Sequence, residues 1–184
     1  MALKRWNKLN EKVLFQNKHW TYKLDQFEIE GVVKSEYHYV HSPGSTMVIP
    51  KLNNLKILLT NQFRYLNQKE SLEFPCGSID GNLTREQNAL KELREETGYR
   101  AGQMTKLHEF WMSPGILKER MHLYLATELS PGEQALDVGE RIEPIIATLD
   151  DAMTMTRDGR IQDAKTLVAL LYYATFGKSQ ADST

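Results

Sequence analysis

Apolar and polar positions along this chain alternate between the two-residue period of a strand and the 3.6-residue period of a helix. From Lys12 to about Val40, aromatic and β-branched residues are interrupted by polar ones, as in HWTYKLDQFEIEGVVKSEYHYV. This predicts short antiparallel strands forming a small N-terminal sheet. STMVIP and LKILLTNQFRYL follow as two stronger strands around the turn-like KLNN, and SLEFPCG leads into a helix. Thr84 with Gln87 makes a capping box and Gly98 a C-terminal cap, so that helix spans 84–97. Beyond it, KLHEFWM and RMHLYLATEL read as strands around the loop SPGILKE. EPIIATL reads as another strand ahead of a helix starting at DDAMTM. A last helix, QDAKTLVALLYYATF, places Leu167, Leu170, Leu171 and Ala174 at core spacing. Strands, a helix, more strands and terminal helices imply a mixed sheet with helices on its faces, the α/β (α+β) class.

Composition narrows the function. The 184 residues, 41% hydrophobic, suit one main domain with room for a small appendage. Lys and Arg (23) nearly balance Asp and Glu (24), so no global basic field recommends nucleic acid or an anionic membrane. The N-terminus has no apolar run of signal-peptide length, and no segment nears the roughly 20 apolar residues of a membrane helix. With the single cysteine, Cys76, excluding an internal disulfide, the expectation is a cytoplasmic protein. The tail from Lys178 reads as a frayed terminus.

Local charge is more informative. Glu92, Glu95 and Glu96 occupy one helix within five positions. Glu92 faces the other two at roughly 5–6 Å, an arrangement that costs the helix about a few tenths of a kcal/mol per pair unless a cation offsets it. Ala89, Leu90 and Leu93 form the apolar stripe, which puts the Glu92/Glu96 edge beside the buried face. ELREE alone is the mark of a solvated helix face; what changes its meaning is the glycine before the helix, Gly77, and the one that ends it.

With those glycines the stretch resembles the box of the Nudix hydrolases, G-x5-E-x7-R-E-U-x-E-E-x-G-U with U apolar or aromatic. Gly77, Glu92, Leu93, Glu95, Glu96, Gly98 and Tyr99 match, whereas Leu83 stands in place of a glutamate and Lys91 in place of an arginine. The resemblance covers about Met47 to Leu171. It implies a Nudix-type α/β/α sandwich over 44–184, with residues 1–43 supplying strands for a homodimer interface and for substrate-base contacts. It also implies Mg²⁺ or Mn²⁺ on Glu92 and Glu96, with Glu95 a further ligand or a positioner of bound water and the Cys76 backbone carbonyl an extra ligand.

Residues outside the box resemble the ADP-ribose and nucleotide-sugar pyrophosphatase branch. NQFRY resembles its Q-Y-R segment and LEFPCG its E-L-P-A-G, while Pro114 stands sixteen positions after Gly98 and GRIQDAKT closes the pattern. By that resemblance Arg64 contacts the diphosphate and Glu73 accepts hydrogen bonds in the substrate pocket. Gly77, Ser113, Glu119 and Trp20 are implied as further substrate contacts, and Tyr22 and Phe27 join Trp20 as rings for the base. Glu140, in the loop DVGERIE, aligns with a mobile-loop glutamate that serves as general base or third metal ligand; Glu143 and Glu119 are alternatives. The implied reaction is attack of water on one phosphorus of P-O-P, giving AMP and ribose 5-phosphate from ADP-ribose, or a nucleoside monophosphate and sugar 1-phosphate from a nucleotide sugar such as GDP-mannose. Because Leu83 and Lys91 depart from the box, a nucleotide-sugar sensor that binds without cleaving is the competing expectation.

Overall fold

A computed structural model describes residues 3–29, 33–53 and 55–177; the tail from Lys178 lies outside them. The chain forms two compact units, Met1–Gly44 with Phe110–Arg120, and Ser45–Glu109 with Met121–Thr184.

In the first unit, β1 (Trp6–Gln16), β2 (Thr21–Ile29) and β3 (Val33–His41) pair antiparallel in sequence order. They are longer than the short strands expected, because cross-strand pairs run their whole length. The Trp6 and Phe27 rings stack 4.5 Å apart with Tyr37 edge-on to both. Lys8 and Lys23 pair with Glu11, and Lys8 also with Asp25. The Asn17 side chain ties the first turn by accepting from the His19 and Trp20 amides. The segment SPGILKE is not a loop throughout. Strand β8 (Arg100–Ser113) ends on Ser113 and β9 (Leu117–Ser130) begins at Leu117, so Glu119 is a strand residue. Val40 of β3 lies in parallel register with Leu117.

The second unit is α+β. Strand β4 (Ser45–Pro50) lies between β9, parallel to it, and β7 (Cys76–Ser78), antiparallel to it, while β8 pairs with β9. All six β4 residues are buried, as expected for a strand covered on both faces. A second, antiparallel sheet has β5 (Lys56–Arg64) between β10 (Ile142–Thr148) and β6 (Lys69–Glu73). Helix α1 (Arg85–Thr97) packs on β4, β7 and β10; α2 (Leu149–Arg157) and α3 (Ala164–Tyr172) complete the unit. Val48, Ala89, Leu93, Tyr124 and Ala126 make a core cluster under α1.

The local chemistry of α1 follows its sequence. The Thr84 hydroxyl accepts from the Gln87 amide at 3.1 Å, and the Gln87 side chain accepts from the Thr84 amide at 2.9 Å. Gly98 stops the helix with φ of 78°, a left-handed conformation that glycine adopts without steric cost. At the other end of the chain α3 stops earlier than expected, at Tyr172, and a π-helical segment, Tyr173–Gly177, follows. The buried residues of α3 are Thr166, Ala169 and Leu170, whereas Leu171 is 47% exposed; the apolar face is rotated by one position from the stripe expected. Among the described residues, no helix is long and apolar enough to cross a membrane.

Leu93 has no exposed surface, so Leu93→Ala removes buried methyl groups and leaves a void beneath the glutamate-bearing helix. A loss of about 2–5 kcal/mol in chemical denaturation is expected.

Candidate active site

Helix α1 delivers its carboxylates onto the backbone of β7. A Cβ added to Gly77 would lie 2.2 Å from the Glu92 carboxyl carbon, so the Glu92 carboxylate occupies the space that any other residue would fill. One residue earlier, the Cys76 amide donates to Glu96 at 3.4 Å. Both acids are largely withdrawn from water. Burial raises the Glu92 pKa, with Lys91 opposing the rise. Burial and the charge of Glu92 push Glu96 up to about 8. The charge of Glu140 adds to both shifts, which brings the loop after β9 within electrostatic reach of the pair. Glu95 stands apart, held by Lys91 at 2.8 Å. Burial also pushes the Cys76 thiol up, leaving it neutral.

The donor set fits a hard divalent cation: two buried carboxylates whose mutual repulsion is only partly offset by Lys91 and the Cys76 amide, packed on the backbone of Gly77. Among the described residues no three His, Cys, Asp or Glu side chains are gathered to hold a metal by themselves. Backbone oxygen, water or substrate would have to complete the coordination.

A second charged centre lies between β5, β6 and α3. Glu73 is 1% exposed and grips Arg64 through two bonds, Nε to Oε1 at 2.7 Å and Nη2 to Oε2 at 2.6 Å. Lys165 approaches the same carboxylate at 3.4 Å and also pairs with Asp163, the N-cap of α3. Thr166 completes the join, accepting from the Phe74 amide at 3.0 Å. Arg64, Glu73 and Asp163 line a cavity of about 490 Å³, together with Lys69 and Arg160. Both Glu73 oxygens are therefore engaged by cations. The carboxylate thereby orients Arg64.

Glu140 and Glu143 line a separate cavity of about 410 Å³ with Gln62 and Arg141. Glu140 is exposed and accepts from the Asp137 amide at 2.9 Å. Trp20, Ser113 and Glu119 belong to the first unit, where Trp20 packs on Phe15 and Glu119 accepts from the Ser42 hydroxyl at 3.2 Å. Sequence reasoning passed over Asn88, which is fully buried. It donates to the Thr46 hydroxyl at 2.8 Å and accepts from the Asp80 amide at 3.0 Å, fixing the loop between Gly77 and the helix. Its signal was available: an asparagine one turn before Glu92, adjoining the apolar stripe. Lys165 was equally visible within DAKT, but nothing in the sequence pairs it with Glu73.

A family model for the Nudix domain matches residues 42–170. The chain belongs to the Nudix family. It is 35% identical to the ADP-ribose pyrophosphatase of Bacillus subtilis over 81% of this chain and 82% of that protein. It is 38% identical to the methanol dehydrogenase activator of Bacillus methanolicus over the same shares. The GDP-mannose pyrophosphatase of Klebsiella pneumoniae is 29% identical, covering 95% of this chain and 94% of its own length. A solved ADP compounds hydrolase superposes with a TM-score of 0.85 over 98% of each chain; at 22% identity it establishes the fold.

Within the Nudix box, the two departures acquire a structural setting. Lys91 sits between Glu95 and Glu92, at 2.8 and 3.4 Å, so its cation serves the box glutamates without a carboxylate at position 83. Leu83 is half-buried and held by its amide, which donates to the Asp80 carbonyl at 3.0 Å.

Two outcomes follow. A carboxyl held near 8 in the fold and at its ordinary 4.5 in the unfolded chain keeps a proton that the unfolded chain releases. The metal-free protein should therefore lose stability as pH rises from 4.5 to about 8; Glu96→Gln should flatten that slope in thermal melts. Glu73→Gln leaves Arg64 and Lys165 facing each other without their anion. It should cost about 2–3 kcal/mol, toward the low side for a buried pair because Arg64 is 40% exposed.

Proposed function

We propose that this Nudix protein hydrolyses the pyrophosphate bond of a nucleoside diphosphate sugar, ADP-ribose or GDP-mannose in type, with Mg²⁺ or Mn²⁺. The observation that carries the reading is the buried Glu92/Glu96 pair packed on the backbone of Gly77 and Cys76. Relatives named as ADP-ribose and GDP-mannose pyrophosphatases support the substrate class. Glu92 and Glu96 hold the cation, aided by the Cys76 carbonyl, while Glu95 orients through Lys91. A bound cation supplies charge neutralisation at the diphosphate and Lewis acidity toward water. Arg64, with its guanidinium plane fixed by Glu73, engages the diphosphate oxygens. Glu140 takes the proton from the attacking water, as its electrostatic reach to Glu92 and Glu96 supports. The family resemblance alone assigns Trp20, Ser113 and Glu119 as substrate contacts, and exposed apolar residues along β1, such as Trp6, Leu9 and Val13, support a homodimer built on its sheet.

A binding module that holds the nucleotide sugar without cleaving it is the second reading. Lys91 favours it, because an ammonium already lies against Glu92 and Glu95 where the box has arginine. A relative named as an activator of another enzyme is in keeping with a regulatory use of this fold.

The deciding experiment measures product release from ADP-ribose, GDP-mannose, dinucleotides and nucleoside triphosphates with Mg²⁺, Mn²⁺ or chelator. Metal-dependent turnover of diphosphate-linked sugars is expected, nearly abolished in Glu96→Gln and lowered about 10²–10⁴-fold in Glu140→Gln. Glu143→Gln should remain close to wild type. Calorimetric binding without product would establish the second reading instead.

A further inference from the structure

The helix bearing the three glutamates ends at Thr97, and its last carbonyls need partners from outside the helix. The Gly98 amide takes the Arg94 carbonyl at 2.8 Å. The next two are taken by the chain that follows β9. The Ala135 amide donates to the Glu95 carbonyl at 3.1 Å, and the Gln134 side-chain amide donates to the Glu96 carbonyl at 2.6 Å. That same Nε2 donates to the Ile142 carbonyl at 3.2 Å. Both acceptors are carbonyl oxygens, so only the nitrogen end of the amide can face them.

One side chain thus bridges the backbone of a metal-ligand candidate and the first residue of β10, two positions beyond Glu140. Close approach of the chains supports the bridge: a Cβ on Gly98 would lie 2.8 Å from the Gly132 carbonyl, and one on Gly132 would lie 2.9 Å from the Gly98 carbonyl. Between Ala135 and Ile142 the chain makes an arc of its own. The Glu140 amide donates to the Asp137 carbonyl at 3.0 Å, and the Glu140 carboxylate accepts from the Asp137 amide at 2.9 Å. Val138 at its crest is fully exposed. The bonds within the arc fix its shape and leave its placement to the two ends. The Ala135 amide holds one end to α1 and the β10–β5 ladder holds the other, and the Gln134 side chain is bonded to both.

We propose that Gln134 is a positioning residue for the hydrolysis: it clamps the Glu140 arc to the C-terminal end of α1 and so sets the distance between Glu140 and the Glu92/Glu96 pair. The inference rests on Glu140 acting as general base. It assigns Gln134 no contact with substrate or cation. Alanine at 134 removes the clamp, and glutamate there replaces the donor with an acceptor that both carbonyls repel.

The test is a double-mutant cycle with a structural readout beside it. Gln134→Ala should lower kcat about tenfold or more, the usual consequence of misplacing a reacting group by a fraction of an ångström, with KM and Mg²⁺ affinity within about twofold of wild type. Gln134→Glu should do the same. In the Glu140→Gln background, Gln134→Ala should cost nothing further, because the group it positions is gone. In metal-free protein, hydrogen exchange at the amides of Ala135, Asp137 and Glu140 should quicken about tenfold or more in Gln134→Ala while the α1 interior is unchanged. Wild-type kcat in Gln134→Ala, losses that multiply fully in the double variant, or unchanged exchange would each overturn the inference. Wild-type turnover in Glu140→Gln would instead overturn the reading beneath it, and the inference with it.

Discussion

Like charges brought together away from water govern this molecule. Glu92 and Glu96 share one edge of α1, largely buried, and burial raises the pKa of both. What surrounds them is arranged to manage that charge: a glycine that makes room for one carboxylate, a backbone amide that meets the other, and a lysine on the outer flank of Glu92. The core beneath α1 holds the pair in place, and without that packing the helix would turn its charged edge to solvent.

The second centre manages charge by a different solution. Glu73 is more deeply buried than Glu96, yet it is surrounded by cations from β5 and α3 instead of by another acid. Three cationic N–H contacts converge on this one carboxylate. Its contribution is stiffness: a guanidinium held by two bonds presents its remaining edge at a fixed angle to the cavity. One centre thus leaves acidic charge partly uncompensated, whereas the other uses its acid to hold an arginine.

Much of this was legible in the sequence because it is local. The capping box at Thr84, the left-handed stop at Gly98 and the crowding of Glu92, Glu95 and Glu96 are all set within a few turns of one helix. The succession of elements along the chain and the fold class followed from periodicity and from the match to the Nudix box. What escaped was set by long-range contacts. That Glu73 faces Lys165, that Asn88 anchors the Gly77 loop, and that Gln134 reaches the end of α1 depend on pairings no local period encodes. The misplaced stripe on α3 has a similar origin: Leu170 and Leu171 have equal hydrophobicity, and only the surface they meet decides which is buried.

The pairing of Glu73 with Lys165 also bears on how the protein is made. A ribosome delivers β5 and β6 long before α3, since the two partners are separated by 92 positions. During that interval the carboxylate has Arg64 as a neighbour but lacks its second cation and the hydroxyl of Thr166 that fastens Phe74. Completion of the arginine-presenting centre therefore waits for the last helix to emerge, and a nascent chain carrying every residue of the Nudix box is still without it.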